Sequence, residues 1–105
     1  MSDAFDPVSV LGCSAAEARS LLAGKKVTPG EVESVALSHY HWRAHLADPQ
    51  SYWVTTSQAA RILHLSPQQV KHRLDAGRLP HQNHASGVRL MRRRQIEELA
   101  AAGPR

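Results

Sequence analysis

The sequence predicts a mainly α-helical fold in which residues 51–105 place two capped helices, a short β-hairpin and a last helix one after another. Helix-capping signals at Thr56 and Ser66 each precede apolar residues at helical spacing. Residues 81–91 then lose this spacing and contain a glycine turn, which favours a hairpin. Residues 1–50 are predicted to form an N-terminal helical extension.

Two helices are predicted in this extension. Ser14 and Glu17 form a capping box for the first helix, and Gly24 ends it. Thr28 starts the second helix, which is expected to continue until just before Pro49. Its apolar stripe consists of Val32, Val35, Ala36 and Tyr40. The composition of Asp48–Ser51 is typical of a linker between the two halves.

Start and stop signals divide the second half into short elements. A helix over residues 57–63 is followed by a tight turn, and a second helix over residues 67–76 ends at Gly77. A hairpin occupies residues 81–91, and the last helix starts at Arg92. Two capped helices joined by a tight turn, then a hairpin and a helix, describe a helix-turn-helix with a wing.

Size and composition limit the class of protein. With 105 residues and 42% hydrophobic residues, the chain has room for one small globular domain and an appendage. No apolar run approaches the roughly 20 residues of a membrane-spanning helix, and the acidic start is unlike a signal peptide. The single cysteine, Cys13, excludes an internal disulfide and favours a reducing compartment. We therefore expect a soluble, cytoplasmic protein without membrane contact.

Basic charge is concentrated in the second half. Residues 1–50 contain four lysines and arginines against six acidic residues, whereas residues 51–105 contain nine against three, for a total net charge of +4. Clustered arginine indicates a polyanionic partner, and nucleic acid is the default candidate. A solvated basic surface is the alternative, and charge alone does not choose between the two.

Three segments of the second half resemble a known family. They are Thr55–Val70 (TTSQAARILHLSPQQV), Ala76–Pro80 (AGRLP) and Arg92–Leu99 (RRRQIEEL). Together they resemble the excisionase/MerR-type winged helix-turn-helix, over roughly residues 52–102. Two features depart from the family pattern: residues 87–91 contain no aromatic side chain, and His81 and His84 stand where arginine or lysine is usual.

The resemblance implies that the helix over residues 67–76 enters the major groove, while the wing and the arginines contact the DNA backbone or minor groove. With Val70 and Leu74 facing inward, helical geometry turns the remaining side chains outward. The implied DNA-binding residues are Ser57, Ser66, Gln68, Gln69, Lys71, His72, Arg73, Arg78, Arg89, Arg92, Arg93 and Arg94. A solvated surface is the alternative for each. Positive charge at the start of the last helix opposes the helix dipole, which favours an external anion there.

The function that this resemblance implies is sequence-specific binding of double-stranded DNA by a bacterial or phage protein associated with the nucleoid. A transcription regulator would bind as a homodimer to two half-sites about 10 base pairs apart. An excisionase-like architectural factor would bind as a cooperative oligomer and bend the DNA. The protein partners are then the transcription machinery or a recombinase. The alternative is a protein-interaction adaptor or packaging-type subunit that uses the helix-turn-helix for protein contacts.

The N-terminal extension has two interpretations. One is a partner or dimer surface with Val32, Val35, Tyr40 and Trp42 as its anchors. The other is a layer packed on the DNA-binding domain. The sequence does not choose between them.

Motifs for metals, cofactors and catalysis are not found. His41 and His45 have the i, i+4 spacing of zinc ligands on a helix, but the glutamate of a zinc-protease motif is missing between them. Cys13 is surrounded by no motif and is expected to be a buried or unreactive thiol. There is no glycine-rich phosphate loop and no nucleophile–base pair. We therefore expect no metal, no cofactor and no enzymatic activity.

Overall fold

Helices and three short strands make up residues 6–103, the part of the chain that this computed structural model describes. In chain order they are α1 (Pro7–Leu11), α2 (Ala15–Leu21), α3 (Pro29–His39), a 3-10 helix (Trp42–His45), β1 (Trp53–Val54), α4 (Thr56–Leu63), α5 (Pro67–Asp75), β2 (Gln82–Asn83), β3 (Arg89–Arg92) and α6 (Arg93–Ala101). The predicted helix-rich class is confirmed, as is a hairpin between residues 81 and 91.

The three strands form one small antiparallel sheet in the order β1-β3-β2. Trp53 pairs with Arg92 and Val54 with Met91, while β2 pairs with the first half of β3. Strand β1 is not predicted from the sequence, because two residues are too few to show the alternation of a strand. Pairing with β3 makes this segment extended.

Each face of the sheet covers a separate hydrophobic core. Successive residues of a strand point to opposite faces, so Trp53 and Leu90 face one side while Val54 and Met91 face the other. In the first core, Trp53 and Leu90 pack with residues of α1, α2 and α3. In the second core, Val54 and Met91 pack with residues of α4, α5 and α6. All four side chains are at most 1% exposed, so the sheet is the wall that the two halves of the chain share.

The N-terminal layer, residues 6–50, packs on the sheet face that carries Trp53. The indole Nε1 of Trp53 donates to the carbonyl oxygen of Val10 at 3.1 Å, which joins β1 to α1. Gly12 ends α1 with φ +64°, and a Cβ at this position would lie 2.6 Å from the Tyr40 ring. The capping signals at Ser14 and Thr28 start α2 and α3 as predicted.

Helix α3 is shorter than the sequence predicts. It ends at His39, and Tyr40 is extended rather than helical (φ −67°, ψ 129°). The Tyr40 ring is buried, lies against Gly12 and stacks on the His45 ring with 5.2 Å between centroids. These tertiary contacts end α3, because the sequence has no helix-breaking proline or glycine between Gly30 and Pro49.

Helices α4 and α5 are joined by a tight turn with local causes. The first helix is capped by Thr55, one residue before the predicted cap, and the Thr55 N–H donates to Gln58 Oε1 at 2.9 Å. The Gln58 amide also donates to the Leu46 carbonyl at 2.8 Å, which ties α4 to the N-terminal layer. His64 takes a left-handed conformation (φ 58°) that ends α4, and Ser66 caps α5.

Candidate nucleic-acid interface

Most polar side chains of α5 face solvent. Gln68, Lys71 and His72 are exposed, whereas Val70 and Leu74 are buried in the second core. Positions 68, 71 and 72 are three and four residues apart, so they share one face of the helix. The predicted division between inward and outward side chains is confirmed at these five positions.

An open groove of about 440 Å³ brings this face of α5 together with the start of α4 and the hairpin loop, residues 84–88. It is lined by Thr56, Pro67, Gln68, Lys71, Gly87 and Arg89. The groove combines two cations with a primary amide. Positive charge attracts a polyanion, and the amide can pair with hydrogen-bonding edges such as those of bases.

Arg89 is positioned in this groove by an ion pair between β3 and α5. Its Nη2 lies 2.7 Å from Oδ1 of Asp75 at the end of α5. Hydrogen bonding from Arg89 holds the pKa of the Asp75 carboxyl below its usual value. Because the Arg89 side chain stays one-third exposed (33%), its guanidinium remains accessible from the groove although its charge is partly balanced.

Ser66 and Gln69 stabilise the start of α5. Ser66 Oγ accepts from the Gln69 N–H at 3.1 Å, and Gln69 Oε1 accepts from the Ser66 N–H at 2.9 Å. A bidentate contact with a base requires both polar atoms of a glutamine amide. We therefore assign Ser66 and Gln69 to the cap rather than to base contact. Ser57, by contrast, is exposed in the first turn of α4.

Arg73 and Arg78 lie away from the groove that contains Gln68. Arg78 is exposed and Arg73 is half-buried, and both line a different depression with Leu63 and Leu99. That depression lies near the carboxyl ends of α4, α5 and α6. The structure therefore separates these two arginines from the groove residues with which the sequence groups them.

Arg92, one of the expected DNA contacts, forms a bidentate ion pair within the protein while its side chain stays 35% exposed. Its Nε donates to Glu33 Oε2 at 2.8 Å, and its Nη2 donates to Glu33 Oε1 at 2.6 Å. The Tyr52 hydroxyl donates to the same carboxylate. The physical reason is strand alternation, because Arg92 belongs to β3 and points to the same sheet face as Leu90, toward the N-terminal layer.

Contacts among Glu33, Tyr52 and Arg92 shift the pKa of each side chain. The pKa of Glu33 is lowered, chiefly by the hydrogen bonds from Arg92, and the pKa of Arg92 is raised by the same bonds. Burial, followed by the bond to Glu33, raises the pKa of Tyr52 to about 12. The ionised form of the pair is therefore favoured over the whole neutral pH range.

Arg93, another of the expected DNA contacts, forms hydrogen bonds to the linker before β1. Its Nε donates to the Ser51 carbonyl at 2.8 Å, and its Nη2 donates to the Asp48 carbonyl at 2.8 Å and to Ser51 Oγ at 2.9 Å. The side chain is 15% exposed. These hydrogen bonds join the linker to α6, and the Arg93 guanidinium therefore has little exposed surface for an external anion.

Arg94 differs from its two neighbours, since its side chain is 70% exposed and forms an i, i+4 ion pair with Glu98 at 3.5 Å.

We expect Arg93→Ala to lower the free energy of unfolding by about 2 kcal/mol, because it removes hydrogen bonds from a charged donor to half-buried acceptors. The matched change Arg94→Ala should cost less than about 0.5 kcal/mol, because exposed ion pairs contribute little. Urea unfolding of both variants measures this. Equal stabilities would contradict the structural assignment of Arg93.

The predicted partner surface in the N-terminal layer is wrong at two of its four positions. Val32 and Tyr40 are buried in the first core, at 0% and 3% exposure. Val35 and Trp42 are half-buried and pack against the same core. These side chains cover Trp53 and Leu90 of the sheet, so their apolar surface is used inside the chain.

One open depression is lined by Cys13, His39, His41 and His84 together with Glu17. His41 follows the end of α3, whereas His45 lies in the 3-10 helix with Nε2 at 3.1 Å from the Gly12 carbonyl oxygen, so the pair does not share a helical face. Within residues 6–103, no three His, Cys, Asp or Glu side chains form a group that could hold a metal ion. Cys13 is half-buried, and burial raises the pKa of its thiol.

Sequence reasoning missed three groove residues, namely Thr56, Pro67 and Gly87. The first two appear in the sequence as helix-start signals, and the third as a turn signal. A role in starting a helix or forming a turn was therefore enough to explain each residue without a groove. Their shared position in the groove arises from the packing of α4, α5 and β3, which no local pattern reveals.

Comparison of the chain with protein-family models, with curated proteins and with solved structures finds no match. In residues 6–103, none of the helices has the length and apolar character needed to cross a bilayer.

Proposed function

We propose that this protein binds double-stranded DNA sequence-specifically, with α4 and α5 as a helix-turn-helix, residues 84–88 as a wing and α5 as the recognition helix. The observation that carries the proposal is the groove in which exposed Gln68 and Lys71 of α5 face Gly87 and Arg89 of the hairpin. A helix presented beside a loop in this way suits a major groove with its adjacent backbone. The concentration of basic residues after position 50 supports the same proposal.

The roles of the side chains follow from their positions. Gln68 is the candidate for bidentate pairing with adenine, because its amide is exposed on the free face of α5. Lys71 and His72, one turn later, are candidates for guanine or phosphate. Arg89 supplies positive charge for backbone phosphates at the groove, and Arg94 is an exposed cation that lines a separate depression. Ser57 lies at a helix start where anions are favoured.

Selection of bound duplexes from a random double-stranded library tests the proposal directly. We expect one enriched motif. Two inverted half-sites about 10 base pairs apart would indicate a dimeric transcription regulator. Direct repeats with an induced bend would indicate an excisionase-like architectural factor. A library from which nothing is enriched would contradict sequence-specific binding and favour a protein-interaction role for the same helices.

Gln68 and Gln69 form a matched pair for testing the recognition helix. We expect Gln68→Ala to weaken binding to the selected site by about 1–3 kcal/mol and to relax specificity at one base pair, with little effect on stability. Gln69→Ala should instead lower the free energy of unfolding by about 0.5–1 kcal/mol through loss of the cap, with specificity retained. Fluorescence anisotropy on single-base variants of the site, together with urea unfolding, measures both. The reverse pattern would exchange the two roles.

A further inference from the structure

We propose that the N-terminal layer adds a DNA-backbone contact of its own, Arg43, which Trp42 holds beside the wing. This inference rests on the proposed function. It extends the DNA-binding surface past the wing, to a half of the chain that is net acidic and lies outside the helix-turn-helix.

The wing is attached on its far side to the N-terminal layer. The Ala85 N–H donates to the Leu37 carbonyl near the end of α3 at 2.7 Å. The indole Nε1 of Trp42 donates to Ser86 Oγ at 3.1 Å. Gly87, the next residue, lines the groove with Gln68. The wing tip is therefore flanked by the recognition helix on one side and by Trp42 on the other.

Arg43 is the cation at this second flank. Its guanidinium carbon lies 5.1 Å from the centre of the Trp42 ring, and its side chain is exposed. Stacking on an aromatic ring orients a guanidinium while leaving its N–H edge free to donate. Among residues 6–103, no carboxylate forms an ion pair with Arg43. A backbone phosphate of the duplex beyond the wing is the ligand that this arrangement suits.

The neighbouring cations support a phosphate as the ligand of Arg43. Trp42, on which Arg43 stacks, contacts Ser86, and the next loop residue, Gly87, lines the groove that contains Lys71 and Arg89. Phosphates recur on each strand of a duplex about every 3.4 Å of helix axis, so we infer that a duplex on α5 and the wing offers a further phosphate to Arg43. Contact at this flank therefore requires no second partner.

The test compares four proteins on the selected duplex between 50 and 200 mM salt: the natural chain, Arg43→Ala, Arg43→Lys and Lys26→Ala. Lys26, an exposed cation of the α2–α3 loop, is the matched control for net charge. We expect Arg43→Ala to reduce the slope of log affinity against log salt by about 0.9, which makes the loss of affinity over this range about threefold smaller. Arg43→Lys should restore the slope, and Lys26→Ala should leave it unchanged.

A hydroxyl-radical footprint supplies an independent readout. Arg43→Ala should lose backbone protection at the outer flank of the wing, while protection of the motif read by α5 remains. If the natural chain binds and Gln68→Ala weakens binding, but Arg43→Ala matches Lys26→Ala in slope and footprint, the inference is overturned and the proposed function stands. If the natural chain selects no duplex, both are overturned.

Discussion

A fragment of residues 51–105 is expected to show no cooperative unfolding, although it contains the whole of the proposed helix-turn-helix and wing. Removing the N-terminal layer exposes Trp53 and Leu90, which are 1% and 0% exposed in the full chain. Burial of two such side chains contributes about 3–6 kcal/mol, a large part of the 5–15 kcal/mol typical of a domain. The fragment also loses the hydrogen bond from the Trp53 indole to Val10 and the Arg92–Glu33 ion pair. Circular dichroism during heating and urea titration measures the result.

A second fragment of residues 51–105 carries Trp53→Thr and Leu90→Thr. It distinguishes the effect of the newly exposed apolar surface from loss of the folded structure itself. Both substitutions place a β-forming, more polar side chain on the face that truncation exposes. We expect this variant to be less prone to aggregation than the unmodified fragment, because its exposed apolar patch is smaller. If the unmodified fragment melts in one sharp transition at the temperature of the full chain, the N-terminal layer is dispensable for folding.

Glu33→Gln is expected to lower the free energy of unfolding by about 2 kcal/mol at pH 7. The substitution keeps the shape of the side chain but removes the charge that pairs with Arg92 and accepts from Tyr52. Loss of one partner of a fully buried pair costs about 3–5 kcal/mol, and we expect less here because the Arg92 side chain is 35% exposed.

The pH dependence of this effect has a defined sign. Because folding lowers the pKa of Glu33, the pair stabilises the protein fully above the unfolded pKa, near 4.3, and loses this contribution as pH falls through the folded pKa. The stability difference between Glu33→Gln and the natural chain should therefore shrink below about pH 4. Urea unfolding at a series of pH values measures it, with Glu98→Gln, which removes an exposed pair, as the control. A difference independent of pH would contradict the assigned pair.

Local signals predicted much of the fold correctly. The caps at Ser14, Thr28 and Ser66 join atoms no more than three residues apart, and all three start helices in the structure. The outward positions of Gln68 and Lys71 follow from helical periodicity alone. The sequence was less informative where an element is too short to show a period, as in β1, or where a good helical pattern is interrupted by a distant contact, as at Tyr40.

The arginines of residues 92–94 show the limit of sequence reasoning. In the sequence they form one basic run, yet the structure uses them in three ways: Arg92 pairs with Glu33, Arg93 binds carbonyls of the linker, and Arg94 is exposed. All three line one open depression, but the change from strand to helix falls between Arg92 and Arg93, and their hydrogen-bond partners differ. Glu33 lies 59 positions from Arg92 along the chain, and Asp48 lies 45 positions from Arg93.

The sequence by itself determined the starts of α2, α3 and α5 with their caps, the hairpin, the basic second half and the exposed face of α5. These properties depend on hydrogen bonds and periodicities within a few residues. Only the tertiary structure decided that the N-terminal layer covers one face of the sheet, that Arg92 and Arg93 bind distant parts of the chain, and that Trp42, on which Arg43 stacks, contacts the hairpin loop. Those outcomes depend on which distant side chains meet once apolar surface is buried on both faces of a single small sheet, and no local pattern encodes that pairing.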